Sequence, residues 1–193
     1  MELDKKINYI VSGLERSGTS MMMQILHAGG ATTASDDSRP PDESNPKGYF
    51  ELEGGKIINK LMDGTFPIKE YTGKVIKITA FGLQYLPQGN YKIIYSERNL
   101  EEILDSMEKM AGIKDEKRDE TRESFRKLND IIKKQIHERA DIEVLLVNYN
   151  EILKEPKKNI TKIYEFLNQP DLDLEKMIDV VDQRLYRQRR STQ

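Results

Sequence analysis

Residues 13–20 read Gly-Leu-Glu-Arg-Ser-Gly-Thr-Ser, GLERSGTS. The glycines have the spacing of a phosphate-binding loop, G-x-x-x-x-G-K-[ST], with Thr19 in the place of the lysine. Upstream, Ile7 to Ser12 (INYIVS) is a short apolar run that reads as a buried strand ended by Gly13. Downstream, a helix rich in Met and Leu is predicted from Ser17 to about Ala28, stopped by Gly29-Gly30. Strand, glycine loop and helix is the context a phosphate loop requires. The backbone N–H groups of Arg16 to Ser20 would face a concavity at the positive end of the helix dipole. Gly13 and Gly18 permit the backbone angles and the close approach of an anion. The Thr19 and Ser20 hydroxyls add donors, and Arg16 adds a positive charge from the other side of the loop. An ordinary strand-to-helix turn with a serine cap has the same outline. Arg-Ser-Gly-Thr-Ser between those two elements favours the anion site.

Further along, KVIKIT (74–79), YKIIYSE (91–97) and EVLLVNY (143–149) read as three more strands. Helices are predicted over 51–63, 99–111, 115–139, 156–168 and 172–182. In the 115–139 helix Phe125, Leu128, Ile132 and Ile136 share one face, whereas 112–124 (GIKDEKRDETRES) is nearly devoid of apolar residues. That segment reads as lid-like, or else as a solvated charged face. Residues 31–50 are polar, turn-rich and interrupted by three prolines, and a long loop beside a candidate site is commonly functional. Short apolar strands alternating with helices predict an α/β fold, a parallel sheet covered on both faces in three α/β/α layers. Ligands of such sheets sit at the carboxyl ends of the strands. Gly13, Thr79, Arg98 and Tyr149 all lie there and are expected to share one edge.

At 193 residues the chain is expected to form one domain with a full core. Its 31 Lys+Arg and 33 Asp+Glu nearly cancel, so no basic field points to nucleic acid. There is no cysteine, which excludes disulfides, thiolate metal sites and a cysteine nucleophile, and only two histidines, His27 and His137, so no histidine-built metal site is expected. No apolar run approaches the roughly 20 residues of a membrane span. The amino terminus lacks signal-peptide architecture, and the expected location is the cytoplasm. Oligomeric state is left open.

The missing lysine is informative. ATP- and GTP-handling loops of this kind also need a carboxylate ending an apolar strand to hold magnesium. The four strands end in Ser12-Gly13, Thr79, Glu97-Arg98 and Tyr149-Asn150, and Arg98 would compete for Glu97. The sequence thus offers an anion cradle without clear provision for a metal. A transferring sulfuryl group carries less charge than a phosphoryl group, and arginine, hydroxyls and backbone N–H groups suffice to stabilise its transfer.

The residues match a family at this point. GLERSGTSMMMQIL resembles the 5′-phosphosulfate loop of sulfotransferases, and YKIIYSERNLEEILDSM resembles their second signature: an apolar strand, an arginine, and a serine eight residues on, here Arg98 and Ser106. VLLVNYNEILKEPKKNITKIYEFLN is similar to a later strand, tyrosine and Phe-Leu helix of the family. NPKGYFE and LYRQR are similar to short bacterial sulfotransferase-like proteins. The resemblance implies a P-loop-type (sulfotransferase) fold and 3′-phosphoadenosine 5′-phosphosulfate (PAPS) as donor, with adenosine 3′,5′-bisphosphate (PAP) as its product. It implies that Arg16, Ser17, Gly18, Thr19 and Ser20 hold the 5′-phosphosulfate and that Arg98 and Ser106 hold the 3′-phosphate. The tail arginines Arg184, Arg187, Arg189 and Arg190 would fold over the nucleotide, or else form a disordered cationic tail. Glu15 departs from the pattern, standing where the family commonly has proline, and Leu100 stands where proline often follows the arginine pair.

Transfer to a hydroxyl or amine needs a base. His27 lies at a helix end, where it favours the dipole, and His137 lies in a charged helix. Among the acids in the long loop and directly after it (Asp42, Glu43, Glu51), Glu51 is the candidate base, with a first-turn helix acid as its alternative. Lys47 and Lys77 are candidate cations. Lys77 would neutralise the leaving phosphate, or serve as an edge-strand gatekeeper. Asn99 would cap the helix after the third strand, with Glu102 reaching back as capping-box partner. Tyr49, Tyr71 and Tyr85 allow a small-molecule or a carbohydrate-like acceptor. A kinase with an unusual loop and a nucleotide-binding protein without turnover are the alternatives.

Overall fold

The computed structural model describes residues 1–36, 38–42, 45 and 48–182. Its centre is a parallel sheet of four strands in the order β2-β1-β3-β4: β1 (Asn8–Gly13), β2 (Val75–Lys77), β3 (Tyr91–Glu97) and β4 (Ile142–Asn148). Ile10 of β1 lies opposite Ile76 of β2 and Ile93 of β3, and Ile94 opposite Leu145 of β4.

The alternation of side chains along these strands divides the core in two. Tyr9, Val11 and Ile94 face one layer, packing with α1 (Thr19–Ala28), α6 (Pro156–Leu167) and α7 (Leu174–Asp179) through Met22, Met23, Leu26, Ile160, Ile163 and Met177. Ile10, Ile93 and Tyr95 face the other, with α2 (Ile57–Met62), α3 (Leu100–Ala111) and α4 (Arg118–Glu138). Helix α5 (Tyr149–Lys154) follows β4 without a loop. This is the expected three-layer arrangement. Of the predicted apolar face of α4, Ile132 and Ile136 are buried, and Phe125 and Leu128 pack against them. Among the described residues no helix is long and apolar enough to cross a membrane.

Several boundaries differ from the sequence reading. The first helix begins at Thr19 rather than Ser17, because Gly18 has a left-handed backbone (φ 98°). The predicted 51–63 helix is broken: a 3₁₀ turn at Glu53–Gly55 precedes α2, and Gly54 and Gly55 both have positive φ. The lid-like reading of 112–124 is not supported. Residues from Arg118 onward are helical, and Arg118 is pinned to α3 by Glu101 (2.9 Å), Asp105 (2.6 Å) and Glu108 (3.1 Å). Three carboxylates around one guanidinium substitute for the apolar contacts that the segment lacks.

Candidate active site

The ends of β1, β2, β3 and β4 open on one cleft of about 530 Å³, lined among others by Gly18, Thr79, Arg98 and Tyr149. The loop between β1 and α1 forms its floor. Gly13 is close to Ser96 of the neighbouring strand, and a Cβ there would overlap the Ser96 carbonyl and the Ser17 hydroxyl. At Gly18 a Cβ would overlap the Tyr149 ring. Arg16 also takes a left-handed backbone, φ 64°, which is uncommon for a residue with a side chain and marks strain stored at this turn.

The loop is prepared for an anion. Ser17 is fully buried, yet its Oγ has no hydrogen-bond partner. Buried polar groups are nearly always paired, so this hydroxyl points to a missing ligand. Gly18 supplies no side-chain cap to α1, and no acid stands in the first turn. The first N–H groups of the helix therefore meet the cleft without a protein carboxylate in front of them. Glu15 is exposed and lines the cleft, sharing with Arg16 the centre of the turn that the Ser17 N–H closes on the Leu14 carbonyl (3.1 Å).

One side of the cleft is built by β3 and α3. Arg98 donates from Nε to Glu102 Oε2 (3.0 Å) and from Nη1 to the Arg16 carbonyl (3.1 Å), and its guanidinium lies 4.7 Å from the centre of the Tyr149 ring. Glu102, 1% exposed, accepts as well from Asn150 (3.1 Å). The capping box is thus only half formed. Asn99 accepts from the N–H groups of Glu101 and Glu102, but the Glu102 carboxylate turns to Arg98 instead of back to Asn99. Ser106, two turns into α3 and 7% exposed, accepts a hydrogen bond from Arg16 Nε (3.0 Å). The Arg16 guanidinium is therefore drawn toward α3 rather than held over the loop. Glu97 pairs with Lys133 of α4 (2.8 Å), not with Arg98.

The other side is built by β2 and the 31–50 loop. Lys77 is on an edge strand but is 7% exposed and faces the cleft, which rules out the gatekeeper role. Its Nζ pairs with Glu51 Oε1 (2.9 Å), donates to the Tyr49 carbonyl and lies 3.4 Å from Ser20 Oγ. Burial pushes the Lys77 ammonium below the ordinary lysine range; Glu51 opposes the shift, while Arg39 and Arg16 add to it. Arg39 grips both oxygens of Glu51 (3.0 and 3.3 Å) and stacks 3.5 Å over the Tyr49 ring. The Tyr49 hydroxyl donates to Asp42 (2.9 Å).

Residues 6–193 match the sulfotransferase domain family. The chain belongs to that family. As a sulfotransferase-family chain it shares its fold with solved structures, of which 36 chains match. One is the mouse sulfotransferase SULT7A1, solved in complex with PAP: the TM-score is 0.50 at 16% sequence identity, over 93% of this chain and 64% of that one. The present chain thus spans less than two thirds of that structure's length. No curated protein matches the sequence.

Of the residues singled out from the sequence of this sulfotransferase-family chain, Arg16, Gly18, Thr19, Ser20, Glu51, Lys77, Arg98 and Ser106 line one cleft, with Ser17 buried beneath it. Arg184, Arg187, Arg189, Arg190, Glu43 and Lys47 lie outside the described residues. His27 is at the end of α1 against Thr33 and Phe50, and His137 is on the surface of α4. Tyr71 stacks on Phe66 and Tyr85 meets Phe81 edge to face, so only Tyr49 of the three tyrosines reaches the cleft. The sequence reading missed Arg39, Gln24 and Lys109, which also line it. Arg39 lies in a proline-rich loop with no periodicity to reveal its direction, and Gln24 lies in a helix otherwise read as core.

Proposed function

We propose that this protein transfers a sulfuryl group from PAPS to a hydroxyl or amine of a small-molecule or carbohydrate-like acceptor. The observation that carries this reading is the cleft's division of labour. An anion cradle with an orphaned buried hydroxyl lies between Arg98 and Ser106 of the β3–α3 junction, where Arg16 of the loop also reaches Ser106, and a lysine–carboxylate pair at β2 and the end of the long loop. The residues present fit a phosphosulfate: N–H donors, hydroxyls and cations converge, with no acid in the first turn of α1.

The donor supplies an SO₃ group whose bond to a phosphate oxygen breaks, the electron pair staying on that oxygen, as a bond forms from the acceptor oxygen or nitrogen. The N–H groups of the first turn of α1 and the Ser17, Thr19 and Ser20 hydroxyls would bind the phosphate end. Lys77 would meet the charge that grows on the leaving oxygen, and Arg16 would join it on releasing Ser106. Glu51 would take the acceptor's proton. Both its oxygens are held by Arg39 and Lys77, so it accepts that proton as Lys77 turns toward the leaving group. Arg98 and Ser106 would hold the 3′-phosphate, Arg98 being fixed for it by Glu102 and the Tyr149 ring.

Calorimetric titration with PAP, ATP–magnesium and GTP–magnesium, followed by sulfur-35 transfer from labelled PAPS to hydroxyl and amine acceptors, tests this. Binding of PAP and transfer of label are expected. Binding of ATP–magnesium or GTP–magnesium alone would point to a kinase. PAP binding without transfer to any acceptor of a broad panel would point to a nucleotide-binding protein.

A further inference from the structure

Glu51 faces two cations, although one suffices to pair a single carboxylate. Lys77 meets Oε1 (2.9 Å), while Arg39 Nη1 is nearer to Oε2 (3.0 Å) than to Oε1 (3.3 Å). The two cations are held in different ways. Lys77 ends a flexible four-carbon stem, and its Nζ already lies 3.4 Å from Ser20 Oγ of the phosphate loop. A small movement of that stem carries it from Glu51 toward a bound anion.

Arg39 is fixed. Pro40 follows it and restricts its backbone to extended conformations, and Pro41 continues the stiff segment. Its guanidinium lies 3.5 Å from the centre of the Tyr49 ring, and the Tyr49 hydroxyl donates to Asp42, 2.9 Å from each carboxylate oxygen. The segment before Arg39 is also stitched to the one that carries Glu51. The Asp36 N–H donates to the Glu51 carbonyl (3.0 Å), the Glu53 N–H to the Asp36 carboxylate (2.7 Å) and the Gly54 N–H to Ser38 Oγ. Phe50 and Glu53, on either side of Glu51, have left-handed backbones (φ 53° and 51°), which residues with side chains rarely adopt. Strain of that kind persists only where the surrounding structure imposes it, and here it brackets the candidate base.

We propose that Arg39 is the positioning residue of Glu51: it holds Oε2 while Lys77 moves to the leaving oxygen, so that Oε1 is freed in place to take the acceptor's proton. This rests on the reading of Glu51 as the base given above. Without Arg39, the departure of Lys77 would leave an enclosed carboxylate with no cation beside it. The side chain would also be free to turn, and a displacement of about 1 Å at a reacting group costs as much as a hundredfold in rate. The division of roles follows the chemistry of the two cations. A lysine carries its point charge on a flexible stem, whereas a planar guanidinium stacked on a ring keeps its geometry.

The test is sulfur-35 transfer from PAPS to whichever acceptor of the hydroxyl and amine panel takes most label. The turnover number kcat and the acceptor KM are measured for wild type, Arg39→Gln, Glu51→Gln and the double variant, with PAP affinity by calorimetry. Arg39→Gln is expected to lower kcat by about tenfold to a hundredfold, with acceptor KM and PAP affinity within about twofold of wild type. Added to Glu51→Gln, the same substitution is expected to change kcat by less than about twofold, because no base is left to position. Wild-type kcat in Arg39→Gln beside a slow Glu51→Gln overturns this inference alone. So do losses that multiply in the double variant, since Arg39 would then act independently of Glu51. A raised acceptor KM with kcat intact overturns it by making Arg39 an acceptor contact, and lost PAP affinity overturns it by placing Arg39 in the nucleotide site or the fold. Equal rates in wild type and Glu51→Gln overturn the reading of Glu51 as base, and this inference with it. Wild-type protein that labels no acceptor overturns the transfer reading itself.

Discussion

Lys77 Nζ lies 2.9 Å from Glu51 Oε1, with the two side chains 4% and 12% exposed. A cation and a carboxylate so enclosed at the mouth of a phosphate loop hold each other in position until a ligand competes for one of them. If Glu51 takes the acceptor's proton, Glu51→Gln removes that step while keeping the shape and the contact with Arg39. The expected loss of sulfur-35 transfer is about 10²- to 10³-fold with PAP affinity unchanged. Lys77→Met should also lower turnover by at least tenfold, because the leaving oxygen loses its buried cation. Equal rates in wild type and Glu51→Gln would remove Glu51 from the mechanism.

Lys77 also makes stability depend on pH. Its folded-state pKa is lowered, chiefly by burial, so the folded chain gives up this proton more readily than the unfolded chain. The penalty of burying the ammonium is fully present below the folded pKa. It is relieved as pH rises through that value toward the unfolded one. Melting temperatures of wild type and Lys77→Met, followed from about pH 7 to about pH 10, should show the wild type gaining on the variant toward the alkaline end. A constant difference across that range would mean that Lys77 titrates as in the unfolded chain.

Much of this was legible in the sequence because it rests on local pattern. Gly13, Gly18 and the apolar runs on either side specify a strand, a turn and a helix at short range, and the sheet edge follows from where the strands stop. Arg98 and Ser106 are readable for the same reason, sitting at a fixed spacing on one strand-to-helix junction. Arg39 and Gln24 were not, nor was the choice of Tyr49 over Tyr71 and Tyr85. Their positions depend on how residues 31–50 fold across the mouth of the cleft and on how α7 packs against α1, and neither is encoded in periodicity. The lid reading of 112–124 failed because charge density was taken for mobility, whereas the acids that hold Arg118 are on another helix.

Arg98 and Glu102 form a buried pair, 8% and 1% exposed, with Nε and Oε2 3.0 Å apart. Arg98→Ala leaves the carboxylate buried without the guanidinium, and should cost about 3 kcal/mol of stability as well as PAP binding. Adding Glu102→Gln to that variant removes the buried charge. Urea denaturation should then show stability partly restored, while calorimetry shows PAP binding still lost. Restored binding in the double variant would show that Arg98 acts only through the fold.

Gly18 combines a φ of 98° with the Tyr149 ring where a Cβ would go. Gly18→Ala forces the loop to move on both counts, and a loss of about 2 kcal/mol or more is expected in denaturant titration. Gly18→Ala with Tyr149→Ala would clear the overlap but not the backbone strain, so stability should return only in part and PAP affinity should stay low. Full recovery of both would reduce the glycine's role to making room for the ring.

The Arg118 cluster separates a structural charge network from a moving one. Its guanidinium is 21% exposed and contacts Glu101, Asp105 and Glu108 on α3, while Arg122, one turn later, also pairs with Glu101. Arg118→Ala leaves three acids crowded on one face of α3, each 23–28% exposed, and they repel. Their partial exposure moderates the effect, and a loss of about 1 kcal/mol is expected. Amide exchange across 118–124 should quicken by about tenfold, since the first turns of α4 have few apolar contacts to hold them. Because the cluster faces α3 and not the loop, turnover and PAP affinity should stay within about twofold of wild type. A variant with unchanged exchange but altered turnover would instead make the start of α4 part of the catalytic cycle.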